Sequence, residues 1–246
     1  MQEYLIHPIP QLSVEMDESQ ITYLQNIGQK IEIVTYVWYL EGGSQTIIVD
    51  AGASIDRFKY RGQHDIKEIQ TIEDGLAKYG IKPDDIDKVI MTHLHHDHIA
   101  QASIFKKAEF LVQKAEVEGA AIWNSHPIFE GAFPPELITP LNLHTIEGDV
   151  NIADGIDVLL TPGHTAGGQS VAVNTSKGLA IIAGGCSIQA NFEPSPEVRN
   201  RFSVIAPGLH LSATDGYDSF ARIKELADII IPLHDSRYMA MTSVTE

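Results

Sequence analysis

The chain has 246 residues, of which 43% are hydrophobic and 20% charged, as in an ordinary globular protein. Acidic residues outnumber basic ones by 33 to 17, which argues against nucleic acid or an anionic membrane as a partner, because both need a basic footprint. Cys186 is the one cysteine, so an intramolecular disulfide is excluded. With no apolar run near the roughly 18 residues of a membrane span and no signal-like leader, we expect a cytoplasmic protein.

The first part of the chain is predicted to contain strands and one capped helix. Residues 1–30 indicate an edge strand and a loop. β-Branched and aromatic residues fill positions 31–40, and the apolar run 46–50 follows a Gly-Gly turn, which predicts a β-hairpin. Residues 54–66 predict a surface excursion. A threonine cap and a glycine stop predict a helix over residues 71–79.

A cluster of histidines follows the short apolar run 89–91, which predicts a buried strand. Residues two apart on a strand share a face, so His93 and His95 point the same way, while the turn after them brings Asp97 and His98 across. Such groups are poor core formers, because each buried polar group needs a partner. Facing a divalent cation they are ordinary ligands. The cluster therefore predicts a site for one metal ion or for two.

The segment after this cluster is predicted to cover it. Residues 101–107 predict a helix, residues 109–113 a strand and residues 114–123 a second helix. Residues 124–144 contain four prolines and predict an irregular loop. This loop is either a wall of a substrate pocket or a contact in a homodimer, and the sequence leaves both open. The candidates for lining an apolar pocket, each of which is otherwise a core residue, are Trp123, Phe129, Phe133 and Phe192.

The second half of the chain repeats this theme of strands that end in histidine. A strand over residues 156–160 leads to His164, and a strand over residues 228–235 carries His234 at its carboxyl end. Residues 191–211 predict a loop, and a helix is expected to start near an Asp215 cap. Paired strands are predicted at 169–173 and 178–183. Strands flanked by helices in this order favour sheet packed on sheet with helices outside.

Three motifs now resemble those of the metallo-β-lactamase superfamily, in that family's order over nearly the whole chain. They are His93-x-His95-x-Asp97-His98, Pro162-Gly163-His164-Thr165 and Pro232-Leu233-His234-Asp235. The resemblance implies an α/β fold, the αββα four-layer sandwich, with metals at one rim between the sheets. It also implies one domain, residues 1–246, in two similar halves, roughly 1–145 and 146–246.

By position, the resemblance implies two sets of ligands. His93, His95 and His164 would hold the first metal, and the second set is Asp97, His98 and His234, with His96 at a free position of the motif. Asp50 is a candidate acceptor for a ligand imidazole, or a strand-end cap. The implied cofactors are two divalent ions, zinc in the first place, with iron or manganese as alternatives.

The sequence departs from the family's pattern at Gly185. Most hydrolases of the superfamily carry there an aspartate that bridges both metals. The next residue, Cys186, is a candidate ligand through its thiolate, or a small buried hydrophobe. Within the superfamily the chain is most similar to the N-acyl homoserine lactonase-like group, but Ile188 stands where those lactonases usually carry a tyrosine.

The resemblance implies a hydrolase acting on a small carbonyl compound, with attack by metal-bound hydroxide. A lactone such as an N-acyl homoserine lactone is the expected substrate, which would make the protein a quorum-quenching lactonase. Asp97 is then the residue that orients the water and returns a proton to the leaving group. The alternatives are a thioesterase resembling glyoxalase II, a β-lactam hydrolase and a metal-dependent redox or binding protein.

Overall fold

The computed structural model describes residues 1–246, and its twelve strands form two sheets. The first sheet contains β1 (Leu5–Asp17), β2 (Lys30–Glu41), β3 (Ile47–Val49), β4 (Ile66–Glu68), β5 (Lys88–Ile90), β6 (Glu109–Gln113) and β7 (Leu143–Ile146). The second contains β8 (Val150–Ala153), β9 (Ile156–Leu160), β10 (Gln169–Thr175), β11 (Gly178–Ala183) and β12 (Ile229–Pro232). The strand orders are β4-β1-β2-β3-β5-β6-β7 and β12-β11-β10-β9-β8.

Eight α-helices connect and cover the strands. They are α1 (Ile55–Tyr60), α2 (Ile72–Ala77), α3 (His96–Ile99), α4 (Lys114–Trp123), α5 (Pro135–Ile138), α6 (Gln189–Phe192), α7 (Pro196–Arg199) and α8 (Ala213–Leu226). None of them is long and apolar enough to cross a membrane.

The buried side chains separate the molecule into four layers. Trp38 of the first sheet and Ile182 of the second belong to one cluster, which fills the space between the sheets. A second cluster, including Leu76 and Ala120, lies under α2 and α4 on the outer face of the first sheet. A third, including Phe220, lies under α8 on the outer face of the second. This is the expected αββα sandwich, and burial of each such large side chain contributes about 1.5–3 kcal/mol.

Several predicted elements are confirmed. β2 and β3 form the hairpin, with Trp38 opposite Val49, and Thr71 caps α2 by accepting a hydrogen bond from the Asp74 N–H. The edge-strand prediction for residues 1–30 needs a correction. β1 pairs with β2 over most of its length, and β4 pairs with it at Leu12–Val14, so β4 forms the edge.

Other predicted elements were wrong. The helix expected over residues 101–107 is one 3-10 turn, Ala102–Ile104, because the helical residues are those of α3, inside the histidine cluster. Residues 54–66 do lie at the surface, with Phe58 as their one buried residue, but they include α1 rather than being irregular throughout. The loop at 124–144 contains α5 and the start of β7, and the loop at 191–211 contains α7. The cap of α8 is Ser212, whose Oγ accepts from the Asp215 N–H.

Parallel strand directions bring the three histidine-bearing strand ends to one rim. β12 runs parallel to β11, and β9 has the same direction because both β9 and β11 are antiparallel to β10. Backbone hydrogen bonds join the sheets here: Gln169 N–H donates to Thr92 O over 2.9 Å, and Val34 N–H donates to His234 O over 3.0 Å. The rim is therefore a fixed meeting point of β2, β10 and the residues that follow β5 and β12.

Candidate metal centre

Six of the predicted ligands lie together at this rim, in two groups of three. The first trio is His93, His95 and His164, and the second trio is Asp97, His98 and His234. Within each trio the ligand atoms all lie within 4.8 Å of one another. The geometry therefore offers two adjacent cation sites, and each site has the three ligands that the sequence motifs predict for it.

Four of the imidazoles are oriented through their Nδ1 atoms. His164 Nδ1 donates to Leu209 O over 2.6 Å, and His234 Nδ1 donates to Val34 O over 3.1 Å. Because a carbonyl oxygen only accepts, Nδ1 carries the hydrogen, and Nε2 of each neutral ring is a bare lone pair. Outward partners of this kind fix the tautomer and the direction of metal-binding imidazoles.

Asp50 orients the other two imidazoles. It is fully buried, and its carboxylate accepts from His98 Nδ1 over 2.8 Å and from the Thr92 hydroxyl over 2.9 Å. Since the Thr92 hydroxyl donates to Asp50, its oxygen accepts from His93 Nδ1, 3.0 Å away. Asp50 has a φ of 62°, a strained region that aspartate and asparagine tolerate better than most residues. One carboxylate thus fixes a ligand of each trio.

The inward-facing nitrogens lack partners of their own. His93 Nε2 and His164 Nε2 lie 3.2 Å apart, and both are bare acceptors because their hydrogens are on Nδ1. His98 Nε2 is buried without a hydrogen-bond partner, and the nearest charge is the Asp97 carboxylate 3.4 Å away. Two lone pairs facing each other are unfavourable unless a cation lies between them. The residues present therefore fit the divalent ions that the sequence implies.

The charge state of the second trio also favours a cation. Burial lowers the pKa of His98, but Asp97 and Asp50 outweigh burial and raise it to about 10. Burial likewise opposes ionisation of Asp97, yet His98 holds the pKa of that carboxyl well below its usual range. The two carboxylates thus stabilise a positive charge at this point, which either a proton on His98 or a metal ion can supply.

Two of the ligands are only half-buried, which shows where the centre opens. His95 and Asp97 keep exposed surface, whereas the other four are buried. Phe133 packs on His95 with 4.5 Å between ring centroids. The Phe129 ring lies 6.4 Å from Phe133, and the Trp123 ring lies 5.3 Å from Phe129, which extends this row of aromatic rings. The segment 124–144 therefore lies beside the opening.

Two of the sequence-predicted residues are not part of the trios. Phe192 is 1% exposed and packs on Phe220 under α8, so it has no surface to offer a substrate. Cys186 belongs to neither trio. It packs in an apolar cluster with Leu12 and Ile33, and burial together with the charge of Asp97 raises the pKa of its thiol, so in metal-free protein Cys186 is a small buried residue that keeps its proton. Ile188 is half-buried against the same cluster and supplies no hydroxyl.

Gly185 has a backbone that suits glycine. Its φ is 94°, and a Cβ there would lie 3.3 Å from the Cβ of His164. We expect Gly185→Ala to cost about 1–3 kcal/mol of folding free energy, a fall in Tm of about 2–12 °C, without added metal binding. Gly185→Asp should show a similar fall in Tm but retain more metal after dialysis, because it adds a carboxylate. Equal metal content in the two variants would contradict this expectation.

The buried imidazoles predict how the metal-free protein responds to acid. Burial lowers the pKa of His164 and of His234 to about 4. A depressed imidazole pKa contributes stability that is present above the unfolded value of about 6.5 and is lost as pH falls through about 4. We therefore expect the Tm of metal-free protein to decrease as the pH is lowered from about 6.5 to about 4. A Tm that stays constant over this window would contradict the prediction. The raised pKa of His98 acts in the opposite direction, because its contribution to stability is lost as the pH rises through about 10.

Two orienting residues were missed by the sequence reasoning. Thr92 links His93 to Asp50, and its position directly before His93 was the available signal. Glu116 accepts hydrogen bonds from two backbone N–H groups beside the ligands. Glu116 lies three and four residues before Gly119 and Ala120, on the buried face of α4. This helical spacing was the signal that Glu116 faces inward.

Comparisons with known proteins agree with this geometry. A model of the metallo-beta-lactamase superfamily matches residues 32–226. An N-acyl homoserine lactonase of Bacillus cereus is 30% identical over 192 residues, 72% of this chain and 74% of the relative. One of Bacillus thuringiensis is 28% identical over 231 residues, 89% of this chain and 86% of the relative.

Among solved structures, an N-acyl homoserine lactone hydrolase superimposes with a TM-score of 0.76 at 25% identity, covering 100% of this chain and 99% of that one. That structure holds the product N-hexanoyl-L-homoserine bound at its catalytic metal centre.

Proposed function

Because the chain belongs to the metallo-β-lactamase superfamily of hydrolases and to its N-acyl homoserine lactonase-like group, we propose that it hydrolyses an N-acyl homoserine lactone at a di-metal centre, with zinc as the metal. The observation that carries this proposal is the pair of facing trios, whose imidazoles are oriented from outside and bare on the inside. The two relatives are lactonases by name, and the solved neighbour holds the opened lactone.

Each trio would hold one ion: His93, His95 and His164 the first, and Asp97, His98 and His234 the second. When bound, such ions polarise a carbonyl oxygen and lower the pKa of bound water. The protein's own part is to keep the imidazoles aligned, with a hydrogen on each outward-facing Nδ1. Outward hydrogen bonds to Leu209 O and Val34 O, and to Asp50, do this before any ligand arrives.

Asp97 is the residue we assign to proton transfer. It is the only carboxylate of the two trios, its side chain is 16% exposed at the opening, and His98 keeps it ionised. A water oxygen attacks the lactone carbonyl carbon, and Asp97 takes the proton that the water loses. The bond from that carbon to the ring oxygen then breaks, and Asp97 returns the proton to the ring oxygen. The product is a hydroxy acid, so each turnover consumes one water.

The acyl chain of such a substrate has an apolar surface to contact. The half-buried rings of Trp123 and Phe129 lie in line with Phe133, which packs on His95. This arrangement supports the segment 124–144 as a pocket wall. The β-lactam alternative rested on a Cys186 thiolate, and Cys186 is part of neither trio.

The proposal is tested by supplying Zn²⁺-loaded protein with N-acyl homoserine lactones, acyl thioesters and β-lactams, and following acid or thiol release. We expect acid release from the lactones, abolished by a chelator and restored by Zn²⁺. Release of thiol from the thioesters alone would favour the glyoxalase II-like alternative. No acid from any lactone would overturn the proposed function.

A further inference from the structure

Glu116 is a buried carboxylate that has no role in the proposed reaction. It lies in the first turn of α4 and is 1% exposed. One carboxylate oxygen accepts from the Leu94 N–H over 2.9 Å, and the other accepts from the Gly167 N–H over 2.9 Å. No cation pairs with it among the ion pairs of the structure. Burying a carboxylate without a paired cation is costly, so the burial of Glu116 needs an explanation.

The two N–H groups belong to the two loops that carry the first trio. Leu94 lies between His93 and His95, and Gly167 follows His164 by three residues. These loops come from different sheets, because the first follows β5 and the second follows β9. One side chain therefore ties together the backbones that set the spacing of all three ligands.

The packing of α4 supports the same interpretation independently. A Cβ on Gly167 would lie 2.2 Å from the Glu116 backbone nitrogen, and a Cβ on Gly119 would lie 2.7 Å from the Cβ of Ala166. Both glycines thus allow the helix to approach the His164 turn closely, which brings the short reach of the Glu116 side chain to both loops.

We propose that Glu116 is a positioning residue that fixes the first trio in its metal-binding arrangement before the metal binds. This inference rests on the proposed function only for the identity of the metal centre. A carboxylate is required because both of its oxygens accept. The amide introduced by Glu116→Gln would accept one N–H and present its own N–H groups to the other, which replaces a hydrogen bond with two facing donors.

The test compares Glu116→Gln with Glu118→Gln, the same change two residues along α4 at an exposed position. Ile223→Val, on the buried face of α8, serves as a control for lost stability alone. Zn²⁺ affinity is measured by competition with a chelator on the full chain. We expect Glu116→Gln to weaken binding by about 10–100-fold, the usual effect of losing an orienting partner, and both controls to bind as the wild type does. Wild-type affinity in Glu116→Gln would overturn the proposal.

A second measurement needs no variant. Amide hydrogen exchange of the wild type is followed with and without Zn²⁺. If Glu116 positions the loops beforehand, the Leu94 and Gly167 amides are protected already in metal-free protein. Exchange that is fast until Zn²⁺ is added would overturn the proposal even where Glu116→Gln fails to fold. A wild type that binds Zn²⁺ but hydrolyses no lactone overturns the proposed function alone, and one that binds no Zn²⁺ overturns both.

Discussion

Asp97→Asn should reduce lactone hydrolysis by about 10²–10⁴-fold in kcat/KM, the range that positioned proton transfer contributes. Asparagine keeps the size of the side chain but removes the only carboxylate of the two trios. It can neither take a proton from water nor return one to the ring oxygen. The second trio would also lose its negative ligand, so metal content should fall from about two ions per chain towards one.

Two features make the Asp97 prediction specific. Asp84→Asn, the same change at an exposed position of a short 3-10 turn, should leave both activity and metal content unchanged. The residual activity should also stay low when excess Zn²⁺ restores the metal content, because the proton carrier is still missing. Hydrolysis at a rate within about threefold of the wild type, far less than the loss that removal of a proton carrier causes, would rule out Asp97 in this role.

Asp50→Asn should lower Zn²⁺ affinity by about 10–100-fold, although Asp50 contacts no metal in the proposed arrangement. His98 Nδ1 donates to this carboxylate over 2.8 Å. An asparagine that presents its N–H₂ to His98 forces that ring to accept at Nδ1 and to carry its hydrogen on Nε2, which faces the second trio. The ligand is then in the wrong tautomer. Asparagine tolerates the φ of 62° at this position, so the fold should survive.

The tautomer itself is the decisive readout for Asp50→Asn. Nitrogen NMR of His98 in metal-free protein should show hydrogens on both Nδ1 and Nε2 in the wild type, because Asp50 and Asp97 raise its pKa, and a hydrogen on Nε2 alone in Asp50→Asn. Thr92→Val is the matched comparison, because it removes the hydroxyl that links Asp50 to His93 and leaves the bond to His98 intact. Unchanged Zn²⁺ affinity in Asp50→Asn, with the hydrogen still on His98 Nδ1, would show that Asp50 only caps its strand.

The fold was predictable from the sequence where apolar patterns and caps are strong. The hairpin of β2 and β3, the strand β6 and the helix α4 have the bounds or the pairing expected of them. The helix predicted at 101–107 was wrong, because the turn of helix there starts earlier, at His96.

The site was predictable only as far as the ligand side chains, which follow their strands directly in sequence. Apart from the Asp50 carboxylate, the atoms that orient them could not be predicted. His164 Nδ1 meets a carbonyl 45 residues away, and His234 Nδ1 meets one 200 residues away. Such partners exist only once the two sheets are packed together. Cys186 shows the same limit, since its apolar neighbours Leu12 and Ile33 come from β1 and β2.

The proposal that metal ions held by the two trios are required for lactone hydrolysis is tested by measuring metal content and acid release on one sample. Protein purified with Zn²⁺ is assayed with an N-acyl homoserine lactone before chelation, after chelation and after Zn²⁺ is restored. We predict about two ions per chain, one acid released per lactone opened, and activity that disappears and returns with the metal. Full activity in metal-free protein, or no acid from any such lactone by protein that holds both ions, would contradict this mechanism.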